Sequence, residues 1–166
     1  MNQIRDLFDQ DINRRIEKVI QYQTKQDELL RQEVAEYVAT DAVQGNLERL
    51  LDRIDDGFSA ASGAEIGVWV SGFYGSGKSS FTKYFGYALD SGVTLGAESF
   101  RVTYKNRLTN HPLAQRLETV ATRHDPVVIL LDLSVDAIAR NNTMSVSSVV
   151  FSRVLTWAGY SKDPKL

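Results

Sequence analysis

The sequence predicts an α/β fold, helices flanking a parallel sheet, with a helical extension over residues 1–39 and the sheet-bearing part over 40–166. Three observations predict it. The apolar, β-branched run Ile66-Gly67-Val68-Trp69-Val70-Ser71 reads as a buried strand. It leads directly into Gly72-Phe73-Tyr74-Gly75-Ser76-Gly77-Lys78-Ser79, after which Phe81, Tyr84, Phe85, Ala88 and Leu89 recur at helical spacing. A second apolar run, Val127 to Leu133, supplies another buried strand, entered through Pro126. Strand, glycine loop and helix in that order fit the phosphate-loop (Walker A) pattern G-x-x-x-x-G-K-[ST]. The class narrows to a partial P-loop NTPase.

The elements follow in order. Residues 1–39 are polar and helix-prone, with small apolar faces at Ile4, Leu7 and Phe8 and at Ile16, Val19 and Ile20; Gln21 to Arg31 reads as exposed. Thr40 is an N-cap with Asp41 in the first turn, where a negative charge suits the helix dipole. Val43, Leu47, Leu50, Leu51, Ile54 and Phe58 mark the face of that helix, which ends near Gly57; Ser59 to Gly63 is a small-residue loop. After the loop helix, Ser91-Gly92 to Gly96 reads as a turn. Phe100 to Leu108 fits both periods and leans to helix. Pro112 opens a helix through Leu113, Leu117 and Val120 to His124, and a last helix carries Val146, Val149, Val150, Val154, Leu155 and Trp157 to Gly159. A doubly wound sheet needs about five strands. Two are legible, so the chain reads as the front portion of a larger ATPase domain.

The loop states its chemistry residue by residue. Its glycines let the main chain approach a phosphate, and the N–H groups at the start of the following helix converge on the anion. Lys78 reaches the β- and γ-phosphates and is the candidate catalytic residue; the Ser79 hydroxyl is placed to ligate Mg²⁺. Phe73, Tyr74, Ser76 and Ser80 complete the candidate contacts to ATP. Asp132, closing the second strand, sits where an acidic residue holds Mg²⁺ through water, or else caps the turn before Ser134. No glutamate follows it to polarise a water; Asp136 is a weaker alternative.

Composition bounds the rest. The 166 residues are 43% hydrophobic, enough for one core. The absence of cysteine removes disulfides, cysteine–zinc sites and thiol nucleophiles. A polar N-terminus and no bilayer-length apolar run predict a cytoplasmic protein without a membrane partner. With a formal net charge of −2 there is no basic stripe for nucleic acid. The clusters Arg101, Lys105, Arg107 and Arg14, Arg15, Lys18 read as solvated faces, and His111 and His124 as ordinary helix-flank residues.

Several segments together resemble the N-terminus of the BrxC-type P-loop ATPases of bacterial BREX anti-phage defence. These are Ile4-Arg5-Asp6-Leu7-Phe8, Asp11-Ile12-Asn13-Arg14, Val19-Ile20, Glu36-Tyr37-Val38 and the strand and loop Ile66 to Ser79. Arg15 stands where a proline is common, and Ser80 where a histidine often follows the loop serine. The resemblance implies an ATP-driven component of a defence complex, partnered by other such proteins and touching DNA indirectly or through parts beyond Leu166. It also implies that the true acidic strand lies later than Asp132. In related ATPase architectures the segment of Tyr37 and Val38 contacts adenine, with core packing as the competing reading. Arg5, Arg14 and Arg140 are candidate arginine fingers for a neighbouring copy, which would require self-association, or plain surface charge. The alternatives are a small P-loop kinase, or a non-hydrolysing, nucleotide-gated interaction module.

Overall fold

Capping and spacing explain most of the helices in the computed structural model, which describes residues 4–8, 27–60, 66–133 and 145–160. A 3₁₀ turn, Ile4–Leu7, comes first, followed by α1 (Asp27–Ala35) and α2 (Asp41–Ser59). The Thr40 hydroxyl caps α2, accepting from the Val43 N–H at 3.3 Å. Helix α3 (Lys78–Leu89) starts on the loop, and a hairpin of β1 (Thr94–Leu95) and β2 (Glu98–Ser99) leads into α4 (Phe100–Lys105). Helix α5 (His111–His124) is capped by Asn110, whose Oδ1 accepts from Leu113 N at 3.0 Å. Helix α6 (Val146–Trp157) starts on Ser145, whose Oγ accepts from Ser148 N.

The expected parallel sheet is not there. Among the described residues the sheet is the antiparallel pair β1–β2, with Thr94 opposite Ser99 and Leu95 opposite Glu98. The rest of the regular structure is helical, which overturns the α/β, parallel-sheet reading. Both apolar runs lie outside any strand. Ile66 to Ser71 is exposed throughout, with Trp69 at 91%. Val127 to Leu133 turns Val128 toward the core, while Val127, Ile129 and Leu133 face outward. An apolar, β-branched run favours burial and an extended backbone. A strand also needs neighbours about 4.8 Å away to pair its N–H and C=O groups. Neither run is paired in a ladder among the described residues; with α2 and α3 both line an open apolar groove of about 620 Å³.

The core gathers around α3, on which Lys83 to Gly86, Ala88 and Leu89 are all buried. An aromatic cluster surrounds it: Tyr84 meets Tyr37 edge-on at 4.9 Å, Phe100 stacks on Tyr104 at 6.1 Å, and Tyr87 meets Phe100 edge-on at 5.5 Å. Burial first, and then the neighbouring Glu33 for Tyr84 and Tyr37 for Tyr104, push these two hydroxyls far above their ordinary range. Helix α1 belongs to this core as well. Leu30 and Val34 are buried, although the segment up to Arg31 reads as exposed in sequence. The tip of the hairpin is tied to α1, with Arg31 Nη2 donating to Leu95 O at 2.6 Å and Gly96 N donating to Asp27 Oδ2 at 3.1 Å. Helix α6 buries Val149 and Ser152 and leaves Val146, Val150, Phe151 and Trp157 well exposed.

The cluster Arg101, Lys105 and Arg107 is not a solvated face. Arg101 is buried and caps the end of α3, donating to Ala88 O at 2.6 Å and Leu89 O at 3.2 Å, where a cation complements the helix dipole. Lys105 and Arg101 share Glu118 of α5, and Arg107 Nε donates to Tyr37 O at 3.1 Å. The other cluster, Arg14, Arg15 and Lys18, lies outside the described residues, as do the apolar patch Ile16, Val19 and Ile20 and the candidates Asp136 and Arg140.

Helices α2 and α5 are clamped by the buried Asp55. His124 Nε2 donates to its Oδ1 at 2.7 Å, Arg123 Nη1 lies 3.1 Å from the same oxygen, and Arg116 Nη2 lies 2.9 Å from Oδ2. The His124 hydrogen bond, then the two arginines, hold the Asp55 carboxyl below its ordinary range against the opposing effect of burial. A depressed folded pKa means that this stabilisation is complete above about pH 4 and is lost as pH falls through the folded value. Glu118, hydrogen-bonded first by Lys105 and then by Arg101, is depressed in the same direction. Asp55→Asn is expected to cost about 1–3 kcal/mol at pH 7 and less at pH 3. Denaturant unfolding at the two pH values measures this, and an equal loss at both would remove the charge from the account.

Candidate functional site

The glycine loop is built by its own backbone. Gly75 and Gly77 have φ of +79° and +84°, a region that side chains other than glycine enter at a cost. Ser76 N donates to Phe73 O at 3.2 Å and closes the turn. A Cβ on Gly72 would lie 2.8 Å from Ser76 Oγ, so a larger residue there would make the Ser76 hydroxyl turn away. Gly77 is the N-cap of α3 and has no side chain to cap it. Phe81 N donates to Gly77 O, starting the helical ladder, while the N–H groups of Lys78, Ser79 and Ser80 precede the first residue that can reach a carbonyl within the helix. That leaves an anion-sized acceptor as their natural partner.

Lys78 occupies the first helical position. Its Nζ donates to Phe73 O at 2.6 Å, so the ammonium is folded back over its own loop. Ser79 is exposed one residue later; Phe73 and Tyr74 point into solvent at 91% and 100% exposure. The loop, the run before it, α2 and the Tyr37–Thr40 segment border an open cavity of about 850 Å³. Tyr37 and Val38 both line it. The Tyr37 ring is also packed on Tyr84 and Tyr104, so it serves core and cavity wall together. The apolar part of the lining includes Leu50, Trp69 and Phe81.

Sequence reasoning misses the α2 wall of this cavity. Val43, Asn46, Arg49, Leu50 and Arg53 fall at three- and four-residue steps, so one stripe of α2 turns toward the loop. The signal was present as a basic i, i+4 pair, Arg49 and Arg53, but nothing local says which way that face turns. Asp132 is not among the lining residues. Neither is any other carboxylate, and among the described residues no cluster of three or more His, Asp or Glu is arranged to hold a metal ion. His111 is an exposed first residue of α5, and Arg5 sits on the exposed 3₁₀ turn with its Nε 3.8 Å from Asp6. No described helix is long and apolar enough to cross a membrane.

No known protein family and no solved structure matches the chain.

Proposed function

We propose that this chain binds Mg-ATP through the loop Gly72–Ser79. The observation that carries the reading is the uncapped start of α3, reached through two left-handed glycines, with Lys78 first in the helix and an 850 Å³ cavity in front. The N–H groups of Lys78 to Ser80 position the phosphates, and Lys78 meets their charge once it leaves the Phe73 carbonyl. Ser79 would hold Mg²⁺, whose contribution is to neutralise phosphate charge. Tyr37, Val38, Trp69 and Phe81 offer the apolar and aromatic surface that a purine ring stacks against. The likeness of the N-terminal segments to BrxC-type ATPases extends the reading to a component of a BREX-like anti-phage complex that acts in the cytoplasm with other defence proteins.

One observation favours a second reading, a nucleotide-gated interaction module that does not hydrolyse ATP. The cavity lining holds no carboxylate to activate a water. Titration with a fluorescent ATP analogue, with and without Mg²⁺ and beside Lys78→Ala, tests binding; phosphate release separates the two readings. Saturable binding that vanishes in the variant is the expected result. Failure of the native chain to bind, or equal binding by the variant, removes the phosphate loop from the account.

A further inference from the structure

The cavity in front of the loop is lopsided in charge. The chain as a whole has 19 Lys and Arg against 21 Asp and Glu. The cavity is lined by Arg49, Arg53 and Lys78, with no Asp or Glu. Elsewhere several basic side chains meet acids, Arg116 and Arg123 on Asp55, Lys105 on Glu118 and Lys83 on Glu33, while Arg31 and Arg107 bond backbone carbonyls. The three cavity cations are in no ion pair among the described residues. Arg49 bonds along its own helix, to Gly45 O and Asn46 Oδ1, and Lys78 bonds to Phe73 O. Three like charges line one concavity with no acid among the lining residues, an arrangement that suits a polyanion.

We infer that Arg49 and Arg53 form a second phosphate-binding wall. They face the polyphosphate chain from α2 while Lys78 and the loop N–H groups hold it from α3, so the site selects nucleotides by phosphate number. This rests on the ATP-binding reading and deepens it: the ligand class is the nucleoside triphosphate, bound well ahead of the monophosphate. Arginine suits the task because its planar fork donates two parallel hydrogen bonds to phosphate oxygens. The i, i+4 spacing sets both forks on the same face of α2. Both side chains are exposed, so their removal leaves the core intact.

The test is a set of titrations with adenosine, AMP, ADP and ATP, on the native chain, Lys78→Ala, the double variant Arg49→Ala/Arg53→Ala, and the charge-keeping Arg49→Lys/Arg53→Lys. Thermal melts check folding. The expected result is that the double alanine variant loses about tenfold or more in ATP affinity. Its AMP and adenosine affinities stay within about twofold, the lysine pair recovers part of the loss, and added salt weakens ATP binding less steeply than in the native chain. Unchanged ATP binding, or equal losses for ATP and AMP, overturns the arginine wall. The loop reading still stands in that case if Lys78→Ala has lost ATP. If the native chain binds no ATP, both readings fall.

Discussion

Glu33→Ala is expected to destabilise the fold by about 3 kcal/mol, a fall in melting temperature of roughly 6–12 °C for a chain of this size. Lys83 is fully buried on the inner face of α3, and its Nζ lies 2.7 Å from Glu33 Oε2 on α1. The Tyr87 ring lies 5.8 Å from the same ammonium and adds a weaker attraction. Losing Glu33 would leave an ammonium at 0% exposure without its carboxylate, and the desolvation of that charge dominates the cost. The control is the paired replacement Glu33→Leu/Lys83→Met, which removes both charges and keeps the volume. That variant is expected within about 1 kcal/mol of the native chain, or above it. Equal losses in the single and double variants would show that packing, not charge pairing, holds α1 to α3.

Lys78→Ala is expected to lower ATP affinity by roughly a hundredfold, about 3 kcal/mol, without changing the melting temperature of the free chain. A lysine–phosphate hydrogen bond is charge-assisted on both sides, which sets the size of the loss. The free chain already spends that ammonium on Phe73 O at 2.6 Å, which trims the gain on binding. Phe73 is exposed, so water replaces the lost donor in the variant and the fold is unaffected. Isothermal titration against ATP measures the first quantity and calorimetric melting the second. A variant that melts much earlier would mean that Lys78 holds the loop together rather than the ligand.

The helices were legible where their signals are local. Thr40 and Pro112 mark starts, and the spacing of Leu47, Leu51, Tyr84, Ala88, Leu113 and Leu117 marks buried faces. Helix α1 was hidden by its composition: a nine-residue element with two buried positions, Leu30 and Val34, is hard to see among Asp, Glu, Arg and Gln. The hairpin was missed because each strand contributes two residues, too few for an alternating pattern. The two apolar runs misled for a different reason. Apolar content reports an appetite for burial, whereas a ladder is a property of two segments at once. Ile66–Ser71 has the composition of a strand and the surroundings of a loop. The glycine loop could be read because its chemistry lies within eight consecutive residues, Gly72 to Ser79. The place of Arg49 and Arg53 on the cavity wall could not, because it depends on how α2 is rotated against a segment about twenty-five residues away in sequence.

The buried girth of α3 has a consequence for timescales. Its middle and end are enclosed by aromatic rings, a buried ion pair and the Arg101 cap, so its amides are expected to exchange with solvent only when much of the protein opens. The segment just before the loop is exposed, and no ladder protects it among the described residues. Gly72–Ser79 therefore lies between a well-buried helix and an exposed segment outside any ladder. Hydrogen exchange is expected to differ sharply across these eight residues, slow on the α3 side and fast on the Ile66–Ser71 side.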